Sequence, residues 1–142
     1  MIINNKNHKK SSVFFHYLNK SEKAIQRKID NDCNIYQINF ATKLWHNLFH
    51  NLALKFEFQC TINSFYRCLA LNLAVGGVNN SYHVNAAALD LNVRLMKNQL
   101  EIYEYLISLD IFEEVFYYKL SGFIHVAYIE GSKKRDFAIN NK

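Results

Sequence analysis

The feature that most constrains this chain is an abrupt change of hydrophobic period near residue 55. Before it, Phe40, Leu44, Leu48 and Leu52 recur every four residues, and Trp45 and Phe49 widen the stripe. That spacing predicts an amphipathic helix from about Phe40 to Leu54. After it, Phe56, Phe58, Cys60 and Ile62 alternate strictly with Glu57, Gln59, Thr61 and Asn63, the pattern of a half-buried strand. A helix with one apolar stripe that runs straight into a strand with one apolar face must bury the two against each other.

The remaining segments extend the same plan. Ser21-Glu22-Lys23-Ala24-Ile25 begins a short capped helix that leads to Ile29-Asp30-Asn31. Leu69 to Val75 reads as a short apolar helix stopped by Gly76-Gly77. A second strand is expected from about Ala86 to Val93, with Ala87, Leu89, Leu91 and Val93 on one face and Ala86, Ala88, Asp90 and Asn92 on the other. The small alanines beside Asp90 suggest open space for a cleft. Another amphipathic helix spans about Lys97 to Leu109, and two strands, about Glu114 to Tyr118 and Phe123 to Ile129, flank a turn at Leu120-Ser121-Gly122. The fold class is α+β: a small, mostly antiparallel sheet with helices packed on one face. Residues 1–12 are expected to form a flexible polar leader, 13–137 a single domain and 138–142 a tail.

Composition narrows the classes. A chain of 142 residues, half of them apolar and 15% aromatic, suits one domain with a real core. No apolar run approaches the roughly 20 residues of a membrane-spanning helix, and no secretory signal is expected, so the chain reads as one synthesised in the cytoplasm. Cys33, Cys60 and Cys68 lack metal-site spacing and read as free thiols. The net charge of +5 raises the question of nucleic acid, but the cations gather in the first 28 residues and at Lys133 to Arg135, with no basic recognition helix. A nucleic-acid partner is therefore not expected. The charge also suits attraction to an anionic cell wall.

The chemistry-bearing residues lie in two apolar segments. Ser81-Tyr82-His83-Val84-Asn85-Ala86-Ala87-Ala88-Leu89-Asp90 and Gly122-Phe123-Ile124-His125-Val126 together supply two histidines and a carboxylate. A lone histidine is more often a packed or surface residue than a ligand, but two histidines and a carboxylate are a standard donor set for a zinc ion with an open coordination position. His46 and His50 also have metal-compatible i, i+4 spacing; with no Glu beside them they read as ordinary helix-face residues.

Four ordered motifs resemble those of the zinc D-alanyl-D-alanine carboxypeptidases, whose fold is shared with VanX, VanY and the hedgehog signalling domain. Ser81-x-His83-x-x-Ala86-x-Ala88-x-Asp90 is similar to the family signature S-x-H-x-x-G-x-A-x-D. Ile62-Asn63-Ser64-Phe65-Tyr66-Arg67, with Leu71-Asn72 and Val75-Gly76-Gly77, is similar to its "SGYRS…LN…VGG" stretch, and Phe123-Ile124-His125-Val126 to its last-strand histidine motif. Ser21 to Asn31 resembles an "S-x-x-A…IDN" feature of phage and bacterial members. The resemblance implies zinc held by His83, Asp90 and His125, with Arg67 pairing with a substrate carboxylate and Ser81 bonding substrate or positioning the metal loop.

The chain departs from that pattern in two places. Ala86 stands where the signature has glycine, and no carboxylate precedes His125 where relatives carry a catalytic Glu. Glu114, Tyr118 and Glu130 are the nearest substitutes, so the catalytic base is left open. The resemblance implies a zinc peptidase acting on peptidoglycan stem peptides, as a D-Ala-D-Ala carboxypeptidase or an endopeptidase. A monomeric phage lytic enzyme that reaches the wall after release from the host cell fits this reading. The alternative is a catalytically impaired zinc-binding module that recognises wall peptide or protein.

Overall fold

The computed structural model describes residues 1–142. Its helices are α1 (Ser11–Leu18), α2 (Glu22–Arg27), α3 (Ile35–Lys55), α4 (Leu69–Ala74) and α5 (Gln99–Ser108). Its strands are β1 (Ile3–Asn4), β2 (Gln59–Ser64), β3 (Ala88–Asn92), β4 (Glu114–Tyr118), β5 (Phe123–Ala127) and β6 (Asp136–Asn140). The strands form one sheet in the order β1-β2-β3-β5-β4-β6, antiparallel throughout except for the parallel β4–β6 pair. The architecture is α+β, as the change of period requires.

The long helix α3 starts five residues before the apolar stripe does. Asn34 and Gln37 form a reciprocal capping box: the Asn34 side chain accepts from the Gln37 N–H at 2.9 Å, and the Gln37 side chain accepts from the Asn34 N–H at 2.8 Å. Ile35 and Tyr36 in this first turn are exposed, so hydrophobic period alone does not reveal them. Leu44, Leu48 and Leu52 are fully buried, whereas Phe40 is 37% exposed and Ala41 takes the core position beside it.

One face of the sheet and the helices share a single core. Cys60, Ile62, Leu89, Leu91, Val115, Ile124 and Val126 meet Leu44, Leu48 and Phe49 of α3 and Ile102 and Leu106 of α5. The opposite face carries Asp90 on β3, Phe116 and Tyr118 on β4, and Phe123 and His125 on β5, all only partly covered. Alternation along each strand thus separates a core face from a chemical face.

Both chain ends differ from expectation. Residues 1–12, expected as a flexible leader, contribute β1, which pairs Ile3 with Cys60 and buries Ile3 completely, and the start of α1. Of residues 138–142, expected as a tail, 138–140 belong to β6 along β4, and the Lys142 carbonyl accepts from the Leu120 and Ser121 N–H groups. The cause in both cases is an open sheet edge whose backbone groups require partners. The short polar segments that satisfy them carry almost no hydrophobic signal.

Asn31, in the loop after α2, joins three pieces of backbone. Its amide donates to the carbonyls of Asn19 and Tyr66, both at 3.1 Å, and its carbonyl oxygen accepts from the Cys68 N–H at 2.8 Å. Asn31 itself is buried, at 6% exposure. Asn31→Ala would remove three hydrogen bonds, the one to the Tyr66 carbonyl buried and the other two part-buried, and a loss of roughly 2–4 kcal/mol is expected in chemical denaturation. A loss below about 0.5 kcal/mol would contradict that role.

Candidate metal centre

The residues between β2 and α4 set the first half of the site. A register shift between Ile62 and Ser64 bends β2 as it leaves its pairing with β3. The chain then passes through Phe65, Tyr66 and Arg67, and the Tyr66 N–H bonds the Leu18 carbonyl at 2.9 Å. The Arg67 N–H donates to the His83 carbonyl at 3.0 Å, and the Phe65 carbonyl meets His83 Nδ1 at 2.6 Å. Because a carbonyl can only accept, Nδ1 carries the proton, and Nε2 is the nitrogen with a lone pair to offer.

His83 itself lies in a single 3-10 turn, Tyr82–Asn85, whose start is capped by Ser81: its Oγ accepts from the His83 N–H at 3.3 Å. The loop before it is shaped by Asn72, which is fully buried and donates to the Val78 carbonyl at 2.7 Å. Gly77 passes so close that a Cβ there would sit 2.1 Å from Asn72 Oδ1. The Leu71-Asn72 and Gly76-Gly77 pieces of the sequence motif are thus one packing unit that delivers His83.

The turn ends at Ala86, whose φ of +60° is left-handed. Glycine would adopt that angle freely, whereas alanine pays roughly 1–2 kcal/mol. The substitution of the signature glycine is therefore strained rather than conformationally neutral. The alanines also do something other than leave space. Ala86, Ala87 and Ala88 are fully buried, and none of them lines the cleft.

Asp90 on β3 and His125 on β5 are directly paired across the ladder. Asp90 Oδ1 lies 2.9 Å from His125 Nδ1 and 3.3 Å from His83 Nε2. One ligating atom from each of the three residues falls within 4.8 Å of the other two. His83 Nε2 and His125 Nε2 are buried without a hydrogen-bond partner, and His83 is only 2% exposed. Buried nitrogen lone pairs gathered around a carboxylate, with no proton donor aimed at them, form a donor set that fits a divalent zinc ion. His46 and His50 stack on each other at 5.4 Å on the exposed side of α3 and belong to no such group.

The electrostatics of the group follow from burial and charge. Burial opposes ionisation of Asp90, but the two histidines outweigh it and hold the carboxyl well below its ordinary range. Burial likewise opposes the charged form of His125, yet its hydrogen bond to Asp90 and the nearby Glu114 carboxylate prevail and push it up to about 9. The Arg67 guanidinium is lowered by burial and partly restored by Asp90. Its Nε is buried without a partner.

A cleft of about 820 Å³ opens over the group. Glu114 Oε2 stands 3.5 Å from His125 Nε2, and the Phe116 ring stacks on the His125 ring at 5.3 Å. Tyr118 lines the same cleft and stacks on Phe123 at 4.4 Å; burial, then Asp90 and Glu114, raise its phenol. Glu130 does not line the cleft and pairs with Lys43 on the exposed surface. Glu113, not singled out in the sequence, does line it, and is bonded by the Ser132 hydroxyl. It lies one residue before β4, outside the alternation of the strand, and no pattern in the sequence points to it.

Arg67 and Ser81 line the cleft together with His83, Asp90 and His125, so the motifs separated in sequence converge on one concave surface. No helix is long and apolar enough to cross a membrane. No curated protein matches the chain. The sequence profile of the Peptidase M15 family matches residues 14–127, a span that contains every member of the His83–Asp90–His125 group. The chain belongs to the peptidase M15 family, whose members are zinc-dependent peptidases.

Proposed function

We propose that this protein is a zinc peptidase that hydrolyses peptide bonds in peptidoglycan stem peptides. The observation that carries the reading is the convergence of His83, Asp90 and His125 within 4.8 Å at the floor of a cleft that also holds Arg67. Zinc bound by these three side chains would polarise the scissile carbonyl and acidify a water molecule. His83 presents Nε2 because Phe65 fixes its Nδ1 proton.

Arg67 anchors a substrate carboxylate. Its planar, permanently charged guanidinium suits a forked pair of hydrogen bonds, and its buried Nε has no partner within the protein. Ser81 positions the metal loop through the His83 N–H. Glu114 is the proton acceptor: it reaches the site from β4, the strand beside His125, rather than from the segment just before that histidine. Tyr118, whose phenol holds its proton more firmly than usual, donates a hydrogen bond instead of accepting a proton. The protein meets its substrate at the cell wall after release from the cell in which it is made, and its net charge of +5 favours that anionic surface.

One zinc per chain is expected by elemental analysis, with loss of metal in both His83→Ala and His125→Ala; undiminished zinc in the two variants would remove the site. Hydrolysis of D-alanyl peptides and purified peptidoglycan should stop on chelation and return with zinc. Zinc-loaded protein that leaves all of them intact would turn the reading to a wall-binding module without catalysis.

Glu114→Gln separates two roles for that carboxylate. As proton acceptor, its loss lowers kcat about 10²–10⁴-fold at full zinc occupancy. Were it merely to orient His125, zinc affinity would fall about 10–100-fold while kcat at saturating zinc survived. For Arg67→Ala, kcat/KM on peptides ending in a free carboxylate should fall roughly a hundredfold with zinc content unchanged. Equal rates for wild type and variant would assign Arg67 to structure.

A further inference from the structure

Arg67 does not close the cleft. A second cavity of about 570 Å³ adjoins it, and Arg67 and Asp90 are the two residues that line both spaces. The second cavity is walled by the link between α1 and α2, the start of α2, and β2, which contribute Lys20, Lys23 and Ser64. Neither lysine has an acidic partner within 4.0 Å; the ion pairs of the lysines and arginines are Lys43–Glu130 and Arg135–Asp110. Glu22 is the one acid on this cavity besides Asp90, which is already engaged by two histidines. Three cations therefore face a concave space beyond the metal group, with a single uncommitted carboxylate among them.

We propose that this cavity is a second anion subsite, in which Lys20 and Lys23 receive a further carboxylate of a substrate whose first carboxylate is held by Arg67. The proposal rests on the peptidase reading for the role of Arg67, and it specifies the substrate. A substrate that leaves as one residue with one carboxylate would be satisfied at Arg67 and would leave the lysine cavity unused. A leaving segment that is longer, or that bears an acidic side chain, fills both spaces. Long, flexible ammonium groups suit this task, since they can follow a carboxylate over several positions where a guanidinium fork demands one geometry.

Binding of leaving-side fragments to the zinc-loaded full chain tests the subsite without relying on hydrolysis. The probes are D-alanyl-glycine, with one carboxylate, and D-alanyl-D-glutamate, with two, compared by calorimetry at low salt. The two-carboxylate fragment should bind about tenfold more tightly to the wild type, and the preference should vanish or reverse in Lys20→Glu/Lys23→Glu. Lys20→Gln/Lys23→Gln, a milder pair on the exposed surface, should reduce it to near parity. Equal binding of the two fragments by wild type, or a preference that survives both double variants, would overturn the subsite. Should zinc-loaded wild type show the preference yet cleave no D-alanyl peptide, the peptidase reading fails and the anion subsite stands.

Discussion

The contact on which the site depends is the bond between His83 Nδ1 and the Phe65 carbonyl, 2.6 Å long and sealed from water. It fixes the tautomer of the imidazole, and so decides that Nε2 is the lone pair turned toward Asp90. The same short stretch of backbone places Arg67, because its N–H returns to the His83 carbonyl. The proposed metal ligand, His83, and the proposed substrate anchor, Arg67, are thus held by a reciprocal pair of contacts between two loops. Asn31 ties one of these loops to the end of α1, and Asn72 shapes the approach to the other. Neither residue faces the cleft, yet both determine what the cleft can hold.

The parts of this arrangement that were legible in the sequence are those with a strong period or a local motif. The alternation from Phe56 to Ile62 placed a strand with the correct buried face, and alternation around His125 placed it on the side opposite Ile124 and Val126. Alternation put Asp90 on a strand, and the two apolar segments that carry His83, Asp90 and His125 suggested the donor set before the resemblance implied its role. What was not legible depends on pairing between distant segments. β1 and β6 exist because β2 and β4 offer open backbone, and nothing in Ile3-Asn4 or Asp136 to Asn140 announces it. The first turn of α3 was hidden for a different reason, since its signal is the Asn34–Gln37 capping box and not an apolar stripe.

Side-chain environments were the least readable. In sequence Ala86 and Ala88 look like the lining of a cleft beside Asp90, but both are fully buried and neither lines it. Ala86 shows what the sequence alone leaves undecided. Whether glycine is needed depends on φ, and only the fold reveals that the position is left-handed. Glu114 is a similar case. Its separation from His125 along the chain hides a cross-strand proximity that antiparallel pairing of β4 with β5 creates, with Phe116 opposite His125 and Glu114 one alternation further along the same face.

That cross-strand supply of a carboxylate has an electrostatic consequence. Asp90 and Glu114 flank His125, and the imidazole is drawn strongly toward its charged form. Two negative groups around shared, partly buried nitrogens favour any positive charge that fits between them, and a proton on His125 is the smallest answer available to the protein itself. A divalent cation answers the same field with more charge and also engages His83 Nε2, which a proton on His125 leaves unpartnered. Proton and metal therefore compete for one electrostatic well. The chemical face of the sheet is built around that well, while the opposite face supplies the packing that keeps its walls in place.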